Sequence, residues 1–360
     1  MYLALRDLRA AKGRFALVGV VIGLIALLTT LLSGLATGLV DDGISGLRGL
    51  PLTHLALQPG AESSFSRSTL TEQNLEPWAK AKGVEAAPLG VSFFNAKTGS
   101  GDTLDLAIFG TPPGSFLAPP GEAQAALRGR DGIVLSDEFR SDGVQVGDTI
   151  TIVGPDQDLE VLGFTYSGSY GHVPISFTSL ETWQRLVYGD GAKGRFSAIA
   201  LKGELGRAAA IDRAAGTATE TKEHAYAGSP GYAAETATMT LIRVFLLVIS
   251  ALIVGAFFTV WTIQRTRQIG LLKALGASNA YVVRDAVGQL AIVLVAATAV
   301  GAAVAVGLGQ LVGEGVPFSL QAGPVLTSSL VLVVLGLVGS LVAIRRITSV
   351  EPIIALGADQ

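Results

Sequence analysis

The sequence predicts a polytopic α-helical membrane protein with four transmembrane helices and a mixed α/β extracytoplasmic domain inserted between helices 1 and 2. Two observations support this fold class. Charged residues make up 15% of the 360 residues, whereas soluble globular domains carry about 25%. Four uncharged runs are also each long enough to span a membrane, for which about 20 apolar residues are needed. These runs are Phe15–Val40, Val244–Gln264, Ala286–Gly313 and Ala322–Ile344.

The distribution of Lys and Arg predicts the orientation, because cytoplasmic loops carry an excess of these residues. Basic residues precede the first run, separate the second from the third and follow the fourth, whereas residues 314–321 contain none. Both termini are therefore expected on the cytoplasmic side of the membrane. The first run is longer than the core of a signal peptide, about 7–15 residues, so we interpret it as an anchor.

This pattern divides the chain into nine segments. They are a cytoplasmic amphipathic N-terminal helix (1–14), TM1 (15–40), an extracytoplasmic α/β domain and stalk (41–239), TM2 (240–264), a cytoplasmic coupling helix (265–285), TM3 (286–313), a short outer loop (314–321), TM4 (322–344) and a cytoplasmic tail (345–360).

Short β-rich runs alternate with helical patterns in the outer segment, which predicts the mixed α/β domain. The predicted strands are residues 54–59, 103–110, 132–136, 148–153, 159–165, 173–179 and 196–201. The predicted helices are residues 70–82, 122–127, 180–188 and 205–215. Residues 216–230 are polar and without a strong period, and we interpret them as a stalk that returns the chain to the membrane.

The sequence lacks the patterns that would indicate an enzyme. It has no cysteine and no GxxxxGK[ST] phosphate-binding loop, and its three histidines are far apart. The membrane runs carry no ionisable residue at mid-depth, although ion-coupled transporters normally need such groups. We therefore expect no catalytic residues and no intrinsic cofactor or metal site. If the protein moves a substrate, the energy is expected to enter from outside the chain.

The cytoplasmic stretch RTRQIGLLKALGASNAYVVRD predicts a short amphipathic helix between two membrane helices. Its apolar face is formed by Ile269, Leu271, Leu272 and Leu275, and Lys273 marks the polar side. Gly276 ends the helix as a C-terminal cap, and Ser278 or Asn279 can begin the next helix. Two interpretations remain: an interfacial helix held at lipid headgroups, or a docking helix for a cytoplasmic partner.

TIQRTRQIGLLKALGASNAYV resembles the cytoplasmic segment of FtsX/MacB-type ABC transporter permeases. LALRDLRAAKGR, GIVLSDEFRSDGVQVGDTITI and RRITSVEPIIALGA are similar to other segments of that family. The resemblance implies a homodimer with two cytoplasmic ABC ATPase subunits, which bind the ATP and Mg. It also implies mechanotransmission, in which closure of the ATPases moves the outer domain. The implied docking residues are Arg267, Gln268, Ile269, Leu271, Leu272, Lys273, Leu275 and Gly276, with Gln268 standing where the family usually has Glu.

Two stretches are most similar to the HrtB-like haem exporters and the related DevC-like branch of this family. They are SGSYGHVPISFTSLETWQ in the outer segment and SPGYAAETATMTLIRVFLLVISA, which continues from it into TM2. The resemblance implies that haem is the substrate. The alternatives are an exporter of a lipid, peptide or drug, and an FtsX-like transmembrane lever that regulates an extracellular cell-wall hydrolase.

A candidate substrate site precedes the second membrane run. Tyr232, Glu235 and Met239 share one face of a helix, and a carboxylate near the hydrocarbon boundary is costly without a function. Ferric haem accepts oxygen ligands, Met239 and Phe245 offer apolar contact, and Arg243 could attract a propionate. The alternative is that Glu235 is a solvated acid favoured by the helix dipole and Tyr232 an interfacial tyrosine.

Three further aromatic or imidazole side chains of the outer segment receive structural interpretations. Tyr170 is expected to be a β-turn tyrosine and His172 a surface histidine, although both could approach the candidate site if the outer domain folds over the helix ends. Trp183 is predicted to belong to the core.

Overall fold

The computed structural model describes residues 12–119, 121–128, 131–189, 191, 194–206, 208–264, 266–312 and 316–348. The chain divides into two compact units. We call Val40–Glu235 the outer unit, and the chain before and after it the membrane unit. Most of the predicted N-terminal helix (1–14) and cytoplasmic tail (345–360) lies outside the described residues.

The secondary structure alternates long helices with a β-rich insertion. The helices are α1 (Lys12–Gly49), α2 (Glu72–Ala79), α3 (Glu122–Ala126), α4 (Leu180–Tyr188), α5 (Ala208–Ala215), α6 (Lys222–Ala225), α7 (Tyr232–Gln264), α8 (Thr266–Ala274), α9 (Asn279–Gly309) and α10 (Ala322–Thr348). The strands are β1 (His54–Leu57), β2 (Leu70–Thr71), β3 (Val84–Thr98), β4 (Thr103–Thr111), β5 (Gly132–Ser136), β6 (Thr149–Ile152), β7 (Gln157–Thr165), β8 (Ser169–Tyr170), β9 (Val173–Ser179), β10 (Arg195–Phe196), β11 (Ala198–Gly203) and β12 (Ala218–Thr221).

Helices α1, α7, α9 and α10 each contain a segment long and apolar enough to cross a membrane. The predicted fold class is therefore confirmed. Helix α1 continues to Gly49 and α7 begins at Tyr232, so both extend beyond the apolar runs of the sequence. The extension of α1 is stable because Ile44 and Leu47, spaced three apart, are buried in the outer unit.

Close helix contacts in the membrane unit depend on glycine. A Cβ atom on Gly301 of α9 would overlap the carbonyl oxygen of Gly23 in α1, and a Cβ on Gly34 would overlap the Phe318 ring. Small residues allow this approach where lipid gives no hydrophobic drive for helix association. Gly23 and Gly301 therefore bring α1 and α9 together within one chain, and Gly34 leaves room for the loop residue Phe318.

The outer unit is built on six strands that close into a ring. β3, β4, β9, β5, β7 and β6 follow one another, and β6 pairs back to β3. The β4–β9 and β5–β7 pairs are parallel and the other pairs in the ring are antiparallel. The first half of β3 instead joins β11, β1 and β12. β3 therefore belongs to both sheets and joins them.

The predicted strands are all present within one to three residues, and Trp183 is 1% exposed, as the core assignment predicts. β3 is absent from the predicted strands, because Pro88 and several small residues obscure its alternation. The stretch interpreted as a stalk contains β12 and α6. β12 is held by its partner β1 rather than by its own propensity.

Candidate functional site

The four predicted substrate-site residues, Tyr232, Glu235, Met239 and Arg243, all lie on α7 and are all partly buried. Tyr232 and Glu235 belong to the outer unit, whereas Met239 and Arg243 belong to the membrane unit. The helix begins early enough to give these residues the regular spacing that the sequence analysis assumed.

Glu235 is part of a network of three side chains in the outer unit. The Nε2 atom of His172 lies 2.9 Å from Glu235 Oε1, and its Nδ1 atom lies 2.8 Å from Asp42 Oδ2. A neutral imidazole has one N–H, whereas the imidazolium has two. Protonated His172 can therefore donate to both carboxylates at once. The interpretation of His172 as a plain surface histidine is replaced by this bridge.

The charge of His172 depends on two opposing effects. Partial burial lowers the pKa of the imidazole, but hydrogen bonds and charge attraction from Asp42 and Glu235 outweigh burial, so the net pKa is raised above 6.5. The positively charged form is therefore favoured by the surroundings, and it links α1 to the start of α7.

A hairpin turn positions the imidazole. Tyr170 pairs with Val173, so Gly171 and His172 form a two-residue loop between β8 and β9. Both have positive φ angles, 59° and 63°, as two-residue hairpin loops require. Such a backbone is uncommon for a residue other than glycine. The Gly171 N–H also donates to the carbonyl of Gly43, at 2.9 Å, which fixes the hairpin against α1.

The outer end of α1 presents a glycine face, Gly43, Gly46 and Gly49, to the same hairpin. A Cβ on Gly46 would overlap Ile175 Cγ2. Ser45 Oγ accepts the Ser169 N–H at 2.8 Å, and the Tyr166 hydroxyl donates to the Gly46 carbonyl at 3.1 Å. These contacts hold the end of α1 against the hairpin.

Lys222 caps the C-terminus of α1. Its Nζ atom donates to the carbonyl oxygens of Arg48 and Leu50, at 2.6 Å each. Burial lowers the pKa of the Lys222 ammonium. A cation at this helix end also complements the negative end of the helix dipole. The polar segment before α7 is therefore attached to the end of α1.

The remaining candidate residues have partners in their own units. The Tyr232 ring lies 6.5 Å from the ring of Tyr226. Glu235 Oε2 is buried and has no hydrogen-bond partner among the described residues. In the membrane unit, Arg243 Nη2 donates to the Ser33 carbonyl at 3.3 Å, and its Nε atom is buried without a described partner. Both groups thus retain unused hydrogen-bonding capacity.

Tyr170 does not join the candidate site. Its side chain is 2% exposed and packs among Phe65, Phe93 and Phe109 in the core of the outer unit.

Asp42 is the functional candidate that sequence reasoning missed. Asp42 follows Asp41 at the end of an apolar run, a position that indicates a solvated helix end. Only the fold shows that His172 lies beside it.

Residues Thr266–Ala274 form the predicted short helix α8. Gly276 has φ of 95°, and the N–H groups of Gly276 and Ala277 donate to the carbonyls of Lys273 and Leu272. This is the Schellman arrangement of a glycine C-cap. The Ser278 hydroxyl then accepts the Tyr281 N–H at 3.2 Å and begins α9.

The apolar residues of α8 have two different environments. Ile269 is 6% exposed and packs in the core of the membrane unit. Leu271, Leu272 and Leu275 are 52%, 41% and 78% exposed. Lys273 is partly buried. Arg267 and Gln268 also belong to α8, but their side chains lie outside the described part of the structure.

Relatives match the chain over its full length. A protein of Staphylococcus haemolyticus, provisionally named hemin transport system permease protein HrtB, is 24% identical over 99% of both chains. An uncharacterized ABC transporter permease of Mycobacterium tuberculosis (strain H37Rv) is 26% identical over 99% of both chains. The solved periplasmic region of MacB from Actinobacillus actinomycetemcomitans aligns at 11% identity over 51% of this chain and 94% of that chain. Its TM-score of 0.36 is too low to support an argument.

The family assignment rests on two sequence families that together cover most of the chain. Residues 15–217 match the MacB-like periplasmic core domain, and residues 240–352 match the FtsX-like permease C-terminal domain. The order of these regions agrees with one membrane helix, an outer α/β domain and three further membrane helices. The chain therefore belongs to the MacB/FtsX family of ABC transporter permeases.

Proposed function

We propose that this permease is the membrane subunit of an exporter that extrudes haem from the outer leaflet of a bacterial plasma membrane, using ATP hydrolysed by a separate partner ATPase. Two findings support haem as the substrate class. Relatives provisionally named as hemin transport permeases match the chain over its whole length. The start of α7 also carries a carboxylate held in place by a histidine.

The observation that carries the proposal is the state of Glu235. His172 occupies one carboxylate oxygen, and the other is buried without a described partner. A carboxylate oxygen can ligate ferric haem iron, and a preoriented ligand loses less entropy on binding. Both ring nitrogens of His172 contact carboxylates, so its role is to position Glu235 and not to bind iron. Tyr232 supplies a second oxygen ligand.

The remaining residues of the proposed site contact the porphyrin edge. Met239 and the exposed ring of Phe245 supply apolar surface, and Arg243 supplies a cation for a propionate. The functional unit in this proposal is a homodimer, in which two copies of Glu235 face one another. The chain itself holds no cofactor, and ATP and Mg are bound by the partner subunits.

Force from the ATPase enters through α8 in this proposal. Leu271, Leu272 and Leu275 form an exposed apolar face suited to a groove on the partner, and Arg267, Gln268, Lys273 and Gly276 complete the docking segment. Helix α1 is continuous from Lys12 to Gly49. Its outer end is fixed to the hairpin that carries His172. Mechanotransmission along such a helix requires no polar channel through the membrane.

Haem titration of the full-length, detergent-solubilised protein tests the proposed site. We expect a saturable shift of the Soret band in the wild type, its loss in Glu235→Ala, and an altered spectrum in Glu235→Gln. Glu223→Ala is the matched control, because Glu223 is an exposed acid on α6. An identical titration of the wild type and Glu235→Ala would reject the site. The absence of a saturable shift in the wild type would reject haem and direct attention to lipids or peptides.

A further inference from the structure

We propose that the outer unit binds an extended segment of another polypeptide along the open edge of β3 at residues 90–95. The segment adds a short strand antiparallel to β3 and carries a basic side chain. This proposal concerns a binding surface for a partner protein. It does not depend on the haem proposal, because none of its residues belongs to the substrate site.

The open edge is an interruption between two strands that pair with the same side of β3. β11 pairs with β3 as far as Leu89, and β6 pairs with it from Ala96 onwards. At the two ends of the interruption, Val91 N–H donates to Ser197 Oγ at 3.2 Å, and Val153 N–H donates to the Asn95 carbonyl at 2.8 Å. The middle of this edge has no strand opposite it among the described residues.

The alternation of an antiparallel ladder identifies the groups that face the opening. The main-chain groups of Val91 and Asn95 point away from β4. Because main-chain groups alternate in direction along a strand, those of Phe93 also point away from β4, and those of Ser92 and Phe94 point towards it. The N–H and C=O of Phe93 are thus available to a guest strand. A peptide backbone is the chemistry that satisfies this donor and acceptor pair.

The surroundings of the edge suit a pleated strand. Clefts of about 490 Å³ and 940 Å³ both border Ser92, Phe93 and Val187. On one face, the half-exposed Phe93 ring stacks on Tyr170, with centroids 5.8 Å apart and planes 12° apart. The smaller cleft adds a set of hydroxyl groups: Ser64, Ser66, Ser68, Thr69, Ser92 and Ser197. Alternate guest side chains therefore meet an aromatic and a polar surface.

The charge around the larger cleft favours a basic segment. Asp156 and Asp158 line it and are exposed. Arg185, the cation in its lining, is already bound to Asp131 at 2.9 Å. Asp156 has φ of 58°, at the tip of the turn between β6 and β7. A Lys or Arg of the guest that enters this cleft would meet both carboxylates, of which Asp158 also accepts the Thr151 hydroxyl at 2.6 Å.

The test uses a defined peptide, acetyl-Val-Lys-Val-Thr-Val-amide, and a copy methylated on alternate backbone nitrogens. Both carry the same side chains, but the methylated copy cannot pair as a strand. Fluorescence anisotropy of labelled peptides against the full-length protein in detergent gives the affinities. We expect saturable binding of the first peptide and binding at least about tenfold weaker for the second, the loss expected for two main-chain hydrogen bonds.

Two substitutions at one position separate the backbone from the side chain. Phe93→Pro removes the outward N–H and leaves the ladder to β4 intact, because the Phe93 N–H does not point towards β4. Phe93→Ala keeps the N–H and removes the ring. We expect Phe93→Pro to abolish binding, and with it the difference in affinity between the two peptides. We expect Phe93→Ala to weaken binding but to keep that difference.

Several outcomes would overturn the proposal. The first is equal affinity of the wild type for the two peptides. The second is that Phe93→Ala binds the methylated and unmethylated peptides equally well. The third is the absence of saturable binding by the wild type. A fourth is loss of self-association in Phe93→Pro, which would assign the edge to a second copy of this chain. The peptide pair keeps the test decisive if Phe93→Pro fails to fold. Failure here leaves the haem titration unaffected, because the two use different ligands and different residues.

Discussion

The Nε2 atom of His172 lies 2.9 Å from Oε1 of Glu235, although 63 residues separate them in the sequence. The other nitrogen of the same ring contacts Asp42 on α1. One imidazole on a tight turn therefore connects the outer ends of two long helices. The connection is complete only when the ring carries both protons, so its strength depends on pH.

We expect the outer unit to lose stability as the pH rises through the pKa of His172. The folded-state pKa is raised above 6.5, so the stabilisation is full below pH 6.5 and disappears as pH rises through the higher folded-state value. Urea unfolding of the full-length protein, followed by fluorescence of the buried Trp78 and Trp183, measures this dependence.

Two substitutions test whether His172 is responsible. His172→Asn tolerates the positive φ and cannot carry charge, so the pH dependence above pH 6.5 should flatten. His54→Asn is the control, because the Nδ1 atom of His54 contacts the Thr53 hydroxyl instead of a carboxylate. If the wild type and His172→Asn show the same pH profile, the bridge contributes nothing to stability.

Gly46→Ala should destabilise the outer unit, although alanine is normally the better helix former. The new Cβ would overlap Ile175 Cγ2 and lie 3.1 Å from the Ser169 carbonyl oxygen. Overpacking of this kind costs about 1–3 kcal/mol, more than the ~1 kcal/mol gained in helix propensity. Gly19→Ala on the same helix meets nothing within 4 Å and should be neutral or stabilising. Urea midpoints that rank the two variants in the opposite order would contradict the close packing.

Lys222→Met should weaken the attachment of the polar segment to α1. The substitution keeps an apolar chain of similar length but removes two charge-assisted hydrogen bonds to the Arg48 and Leu50 carbonyls. We expect a loss of about 1.5–3 kcal/mol in the free energy of unfolding. Lys80→Met removes an exposed pair with Glu76 and should have a much smaller effect, because solvent screens an exposed ion pair. Equal effects of the two substitutions would show that the Lys222 cap is energetically unimportant.

Leu275→Asp should uncouple the ATPase from transport. Leu275 is 78% exposed on α8, so a charge there would disturb a partner groove rather than the packing of the membrane unit. Ala274→Asp places the same charge one residue away, on an exposed position outside the three-leucine face. We expect the first variant to keep normal membrane insertion but to lose substrate-stimulated ATPase activity in reconstituted liposomes, and the second to retain most of it.

Gly276→Leu tests the end of the same helix. Its φ of 95° is strained for any residue with a Cβ, so the variant should also lose coupling. Unchanged coupling in both Leu275→Asp and Gly276→Leu would refute docking through α8.

Sequence patterns predicted the helices of the membrane part well, because uncharged runs and a glycine cap are local signals. They also predicted most strands of the outer unit from their alternation. β3 escaped because it belongs to two sheets and its burial changes face along its length. The bridge at His172 escaped for a different reason: Asp42, His172 and Glu235 come from three distant segments, and a two-residue turn at positive φ brings them together. Long-range contacts of this kind leave no periodicity in one sequence.

The charge of Arg243 makes the energy of α7 dependent on the membrane potential if the helix moves across the membrane. It lies within a stretch of α7 that is long and apolar enough to cross a membrane, and its guanidinium reaches the Ser33 carbonyl. Moving one elementary charge through a potential of 100 mV changes its energy by about 2.3 kcal/mol. Any displacement of α7 along the membrane normal carries this charge through part of that field. If α7 moves in this way, the membrane voltage biases the positions that it can occupy.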